Sequence, residues 1–155
     1  MDDSGRWFDE AALGEKFRRS ITITDTHLVL GAGLIGDFNP HHVNDQYAKE
    51  SRFGTRILHG MITSAMMGAP VGMYFHGTAI AYLEHAARFR APVRANDTLV
   101  TEWTIVGLEP KPKHRGGVVV LEGVCRNQEG TIVADADARI LVQARPGTAH
   151  APVAT

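Results

Sequence analysis

With 155 residues and 44% apolar side chains, the chain has the size of one domain that can bury a core without disulfide or metal staples. Sixteen Lys and Arg against seventeen Asp and Glu leave no broad field of either sign, which excludes a nucleic-acid or anionic-membrane binder working by bulk charge. A single cysteine, Cys125, excludes an internal disulfide framework and, in its apolar run, reads as a small buried hydrophobe.

The start, residues 1–6, is acidic and polar where a secretory signal would be basic and then apolar, so cytoplasmic residence is expected. β-Branched enrichment predicts a strand over 17–24. Thr24-Asp25-Thr26 then offers a cap for a short helix from His27 that ends near Gly31 and Gly33. Residues 36–55 are rich in polar and turn residues, with a helical turn at 45–49. The run 57–68 places Met61, Ile62, Ala65, Met66 and Met67 on nearly every side of a helix, and a helix apolar all round must be enclosed. Interrupted by His59, glycines and Pro70, the stretch 57–73 falls short of a bilayer span.

Four strands follow, over 78–90, 97–106, 117–126 and 131–142. The last alternates most clearly, with Ile132, Ala134, Ala136, Ala138, Ile140 and Val142 on one face and Asp135, Asp137 and Arg139 on the other. Pro92 and the turn 94–97 separate the first two strands, and Asn127-Gln128-Glu129-Gly130 marks a hairpin between the last two. The pattern alone gives an α+β domain with a strongly antiparallel sheet over 1–144 and a loose tail from Arg145 to the end at 155.

The chemistry concentrates in Gly36-Asp37-Phe38-Asn39-Pro40-His41-His42. Proline fixes φ and asparagine favours the turn, so a carboxylate and an imidazole five residues apart can face one point and divide general acid and base work. Taken alone, an Asp and a His in a loop are usually solvated turn residues. The motif, joined to Leu58-His59-Gly60-Met61 downstream, resembles the hydratase signature of the MaoC-like family, which includes the R-specific enoyl-CoA hydratases. The likeness runs from Gly14-Glu15-Lys16-Phe17 through Val142.

That resemblance implies a hot-dog fold, an antiparallel sheet wrapped around the apolar helix. It implies reversible hydration of a trans-2-enoyl-CoA to a 3-hydroxyacyl-CoA, with no cofactor beyond the coenzyme A of the substrate, in a homodimer or an oligomer of dimers. Asp37 and His42 would hold the water, and the Gly60 N–H at the helix start would face the thioester carbonyl, where the helix terminus favours developing negative charge. Which of the pair takes the water proton stays open, as does CoA or acyl carrier protein as the carrier.

Asn39 is a turn former or a contact to water or substrate. Ser51, Arg52 and Phe53 would line the acyl or pantetheine path, and His59 beside it reads as a structural residue oriented by backbone hydrogen bonds. Arg88 and Arg90, with Arg94 and the loop 111–115, are the candidates for the CoA phosphates, since guanidinium suits phosphate. Adjacent His41 and His42 have poor geometry for chelating one ion, so no metal is expected. Nine residues after His59, where some R-specific hydratases carry an active-site serine, stands Gly68, with Ser64 one turn earlier. Compact or branched acyl groups, including those with a second carboxylate, are therefore as compatible as straight chains. Hot-dog thioesterases and catalytically silent thioester-binding subunits are the competing classes; the intact Asp37/His42 motif argues against both.

Overall fold

The computed structural model describes residues 4–147. Its elements are β1 (Lys16–Thr22), α1 (Asp25–Ile35), α2 (Pro40–Val43), α3 (Asp45–Glu50), α4 (Gly60–Tyr74), β2 (Ala79–Phe89), β3 (Thr98–Lys111), β4 (Gly116–Arg126) and β5 (Ile132–Gln143), with short 3₁₀ turns at Phe8–Glu10 and Pro112–His114. The five strands form one antiparallel sheet in the order β1-β3-β4-β5-β2, and α4 lies on its concave face.

Period-two alternation puts Leu99, Trp103 and Ile105 of β3, Leu121 and Cys125 of β4, and Ala134, Ala136, Ala138 and Ile140 of β5 into the core. Met67 and Val71 of α4 and Phe75 beyond it pack onto them. Trp103 satisfies its one donor by giving Nε1–H to the Met67 carbonyl at 2.8 Å. Gly123 is obligatory beneath that indole, because a Cβ there would lie 2.6 Å from the ring. This is the hot-dog arrangement expected from the sequence.

Three boundaries differ from expectation, each for a packing reason. α1 continues through Gly31 and Gly33 to Ile35 and ends at Gly36, which takes the left-handed φ of 72°. Gly31 is internal because α1 crosses α4 there; a Cβ would meet Ile62 Cγ1 at 3.0 Å. α4 runs past Pro70 to Tyr74, the apolar floor of the sheet outweighing the lost proline N–H. β3 extends five residues beyond 106, since pairing through Pro110↔Gly117 and Lys111↔Gly116 continues the hairpin.

Within one chain α4 is covered on one side only. Met61, Ala65, Ala69 and Met73, spaced one turn apart, face outward. The two sheet edges also differ. β1 carries Lys16, Arg18 and Arg19, the charged edge that resists further pairing, whereas the eleven-residue β2 presents Ile80, Leu83 and Phe89 beside a free edge. Arg145, where the tail was expected to loosen, donates its N–H to Asp9 and its guanidinium to Glu10; residues 148–155 of that tail lie outside the described residues. No helix among the described residues is long and apolar enough to cross a membrane.

Candidate active site

The Asp37/His42 motif folds as a chain of local caps. After the Gly36 reversal, Asp37 Oδ1 accepts the Asn39 N–H at 3.0 Å, and Asn39, the N-cap of α2, accepts the His41 N–H. Pro40 occupies the first turn of α2, where its missing N–H costs nothing. One helical turn then carries His42 back over Asp37, so His42 Nε2 and Asp37 Oδ2 stand 3.8 Å apart. His42 Nδ1 donates to the Ile57 carbonyl at 2.7 Å. A carbonyl only accepts, which makes Nε2 the lone-pair nitrogen of the neutral ring. His42 is 14% exposed and Asp37 49%, so the pair opens to solvent from the carboxylate side.

The support beneath the pair comes from α4 and the segment entering it. Leu58 N–H bonds to Val93 and Ile57 N–H to His41, which staples the segment between α2 and the connection from β2 to β3. His59, 1% exposed, caps α4; its ring stacks on His42 with centroids 3.8 Å apart, and Nε2–H donates to the Asp37 carbonyl at 2.9 Å. The N–H of Gly60, the first residue of α4, has no acceptor among the described residues. A Cβ on Gly60 would sit 3.0 Å from the Phe89 ring, so glycine lets that aromatic lie close against the helix start.

Asn39, His42, Arg52, Phe53 and Ile57 line a cavity of about 380 Å³, and Arg52, Phe53 and Ile57 also wall a neighbouring one of about 280 Å³ that reaches Gly60, Thr63, Phe89 and Arg90. The structure thus brings together Asp37, Asn39, His42, Phe53, Gly60 and Arg90. Ser51 serves the turn after α3, donating to Ala48 and accepting the Phe53 N–H. Arg88 points to the outer face, where it pairs with Asp135 and Asp137; Arg90 shares Asp135 while bordering the groove. The loop 111–115 lies apart, about 40 Å along β3 from the end that carries Arg94. It borders a separate cavity of about 530 Å³ with Gln143 and Arg145.

Asp37, His42 and His59 offer donor atoms within 4.8 Å of one another. The two imidazoles are stacked, and each gives one nitrogen to a backbone carbonyl.

Two features escape sequence reading. Arg56 clamps the site's scaffold, with Nε on Asp45 and Nη2 on Asp25, both at 2.6 Å, across separations of 11 and 31 residues. Gly68 faces Tyr82 and His85: a Cβ would stand 3.7 Å from the tyrosine hydroxyl and 3.9 Å from the imidazole. Tyr82 and His85 hydrogen-bond at 2.9 Å although three residues apart on a strand, because a bulge between Tyr82 and Glu84 turns them to one face.

The profile of the MaoC like domain family matches residues 9–124. The chain belongs to the MaoC-like family. This MaoC-like chain is 34% identical over 139 residues to an (R)-specific enoyl-CoA hydratase of Rhodospirillum rubrum, a match covering 90% of this chain and 93% of that one. It superimposes on R-hydratase PhaJ1 from Pseudomonas aeruginosa with a TM-score of 0.79 at 30% identity, over 96% and 95% of the two chains. A double-hotdog protein of Mycobacterium tuberculosis shares the fold, with a TM-score of 0.85 at 18% identity over 95% of this chain and 47% of that one.

Proposed function

We propose that this chain is a hydro-lyase that adds water reversibly across a trans-2-enoyl-CoA to give a 3-hydroxyacyl-CoA. The observation that carries the reading is the Asp37/His42 pair at 3.8 Å, with His42 oriented so that its free nitrogen faces the carboxylate. That gap is too long for a direct hydrogen bond, and one water fits about 2.8 Å from both atoms. The hydratase names of the relatives support the same chemistry.

His42 Nε2 takes a proton from the water as its oxygen bonds to the β-carbon. A carboxylate accepts hydrogen bonds and donates none, so Asp37 holds the second water proton and stabilises the imidazolium. The electron pair of the double bond moves toward the thioester oxygen, where the Gly60 N–H and the start of α4 receive the charge. The imidazolium then returns the proton to the α-carbon. The thioester remains intact.

The acyl-pantetheine arm runs past Asn39 and Phe53 with Ser51 and His59 supporting its walls, and Arg52 and Arg90 at the groove meet the CoA phosphates, while Arg88, expected to join them, is held on the outer face by Asp135 and Asp137. A second copy of the chain pairs along β2, covering Ile80, Leu83, Phe89 and the outward face of α4, which gives a homodimer.

The test is a panel of enoyl-CoA esters, with straight, branched and carboxylate-bearing acyl groups, followed for loss of the conjugated chromophore and for release of free thiol. Chromophore loss without thiol supports the hydratase reading. Thiol release would make the chain a thioesterase, and silence toward all esters would make it a binding subunit.

A further inference from the structure

We infer that His59 is a positioning residue for the Asp37/His42 pair, with its Nε2–H fixing the backbone of Asp37 and its ring carrying the imidazole of His42; the inference rests on the hydratase reading above. Segment 36–39 has little else to hold it. Gly36 N–H bonds back to Ala32 of α1, Asn39 N–H to Asp37, and the Asn39 carbonyl and side chain serve the first turn of α2. Phe38 is 64% exposed and supplies no packing anchor. Among the described residues, the bond from His59 Nε2 to the Asp37 carbonyl is the one hydrogen bond joining this segment to a distant element.

His59 is itself rigid. Its carbonyl accepts the N–H groups of Ile62 and Thr63 and the Thr63 hydroxyl, and Leu58 before it is tied to Val93. α1 passes directly over the ring, where a Cβ on Gly31 would lie 3.4 Å from Nδ1. His59 therefore sits where α1, α2 and α4 meet, and the same ring touches both members of the pair, one through its backbone and one through its imidazole.

A packing role alone does not account for an imidazole here. Nδ1 is buried without a hydrogen-bond partner, a cost that an apolar ring of similar size would not incur. What histidine supplies and phenylalanine does not is the N–H aimed at Asp37. Misplacing a reacting group by about 1 Å can cost a hundredfold in rate, so an anchor of this kind acts on turnover more than on binding.

The experiment compares His59→Phe, His59→Gln and His59→Asn in the full chain. Gln places an amide N–H near the position of Nε2, whereas Asn places one near Nδ1 and cannot reach the Asp37 carbonyl. Expected are a kcat about tenfold or more below wild type for Phe and Asn, with KM little changed, and partial recovery for Gln. Hydrogen exchange over residues 36–42 should accelerate in Phe and Asn and return toward wild type in Gln. If Phe does not fold, the Asn and Gln pair decides. Equal kcat and equal exchange in Asn and Gln would overturn the inference. If wild-type protein hydrates no enoyl-CoA, the hydratase reading fails and the exchange comparison alone decides whether His59 positions the segment.

Discussion

Replacing Asp37 by Asn isolates the charge of the carboxylate from its structural duties. The variant keeps an oxygen for the Asn39 N–H and keeps the backbone carbonyl that receives His59, so both turn contacts survive. What changes is the atom that stands 3.8 Å from His42 Nε2. An amide N–H there meets the bridging water as a donor where the carboxylate accepts the second water proton, and no carboxylate remains to stabilise the imidazolium. Removing a positioned acid-base group costs about a hundredfold or more in turnover, which is about 2.7 kcal/mol of transition-state stabilisation. Because the side chain is 49% exposed and its turn bond survives, the stability change should stay within about 0.5 kcal/mol. The assay is kcat and KM from chromophore loss, with a thermal melt on the same preparation. A kcat within about fivefold of wild type at unchanged Tm would remove Asp37 from the chemistry.

Gly123→Ala should destabilise by about 1–3 kcal/mol, since the new methyl meets the buried Trp103 ring at 2.6 Å; a melt within about 1 °C of wild type, below the roughly 2–4 °C expected for 1 kcal/mol, would refute that packing. Hydrogen bonds from Arg145, Arg139 and Arg90 hold the Glu10, Glu109 and Asp135 carboxyls below their ordinary range, and Glu15 lies below its own because bonds from Tyr74, Ala12 and Arg6 outweigh its burial. Depressed carboxylates stabilise the fold above their unfolded values and lose that contribution as pH falls through the folded ones, so Tm should drop below about pH 4.5, and a flat profile from pH 5 to 3 would contradict it. Leu83→Glu, at an exposed position on the free β2 edge, should leave a single chain folded and shift sedimentation from a dimer toward the 16.9 kDa chain; an unchanged dimer would place the interface elsewhere.

Much of the fold was legible because its strands alternate cleanly: β5 in particular shows its inner Ala134, Ala136, Ala138 and Ile140 in the sequence itself. The misplaced limits of α1 and β3 share a cause, since Gly31 and Pro110 punctuate locally while tertiary contacts to Ile62 and to β4 carry the element through them. The Asp37/His42 pair was legible because turn chemistry sets it within six residues. The bulge that joins Tyr82 to His85 and the Arg56 clamp were not, because strand register and long-range ion pairs leave no local periodicity.

The most direct test of the central claim is to incubate the protein with a trans-2-enoyl-CoA in deuterated water and examine the product by NMR, with Asp37→Asn and His42→Ala beside wild type. The expected result is an intact thioester carrying one deuterium at the α-carbon and oxygen at the β-carbon, formed by wild type and at most at about a hundredth of that rate by either variant. Free CoA with an unaltered double bond, or equal product from the variants, would contradict it.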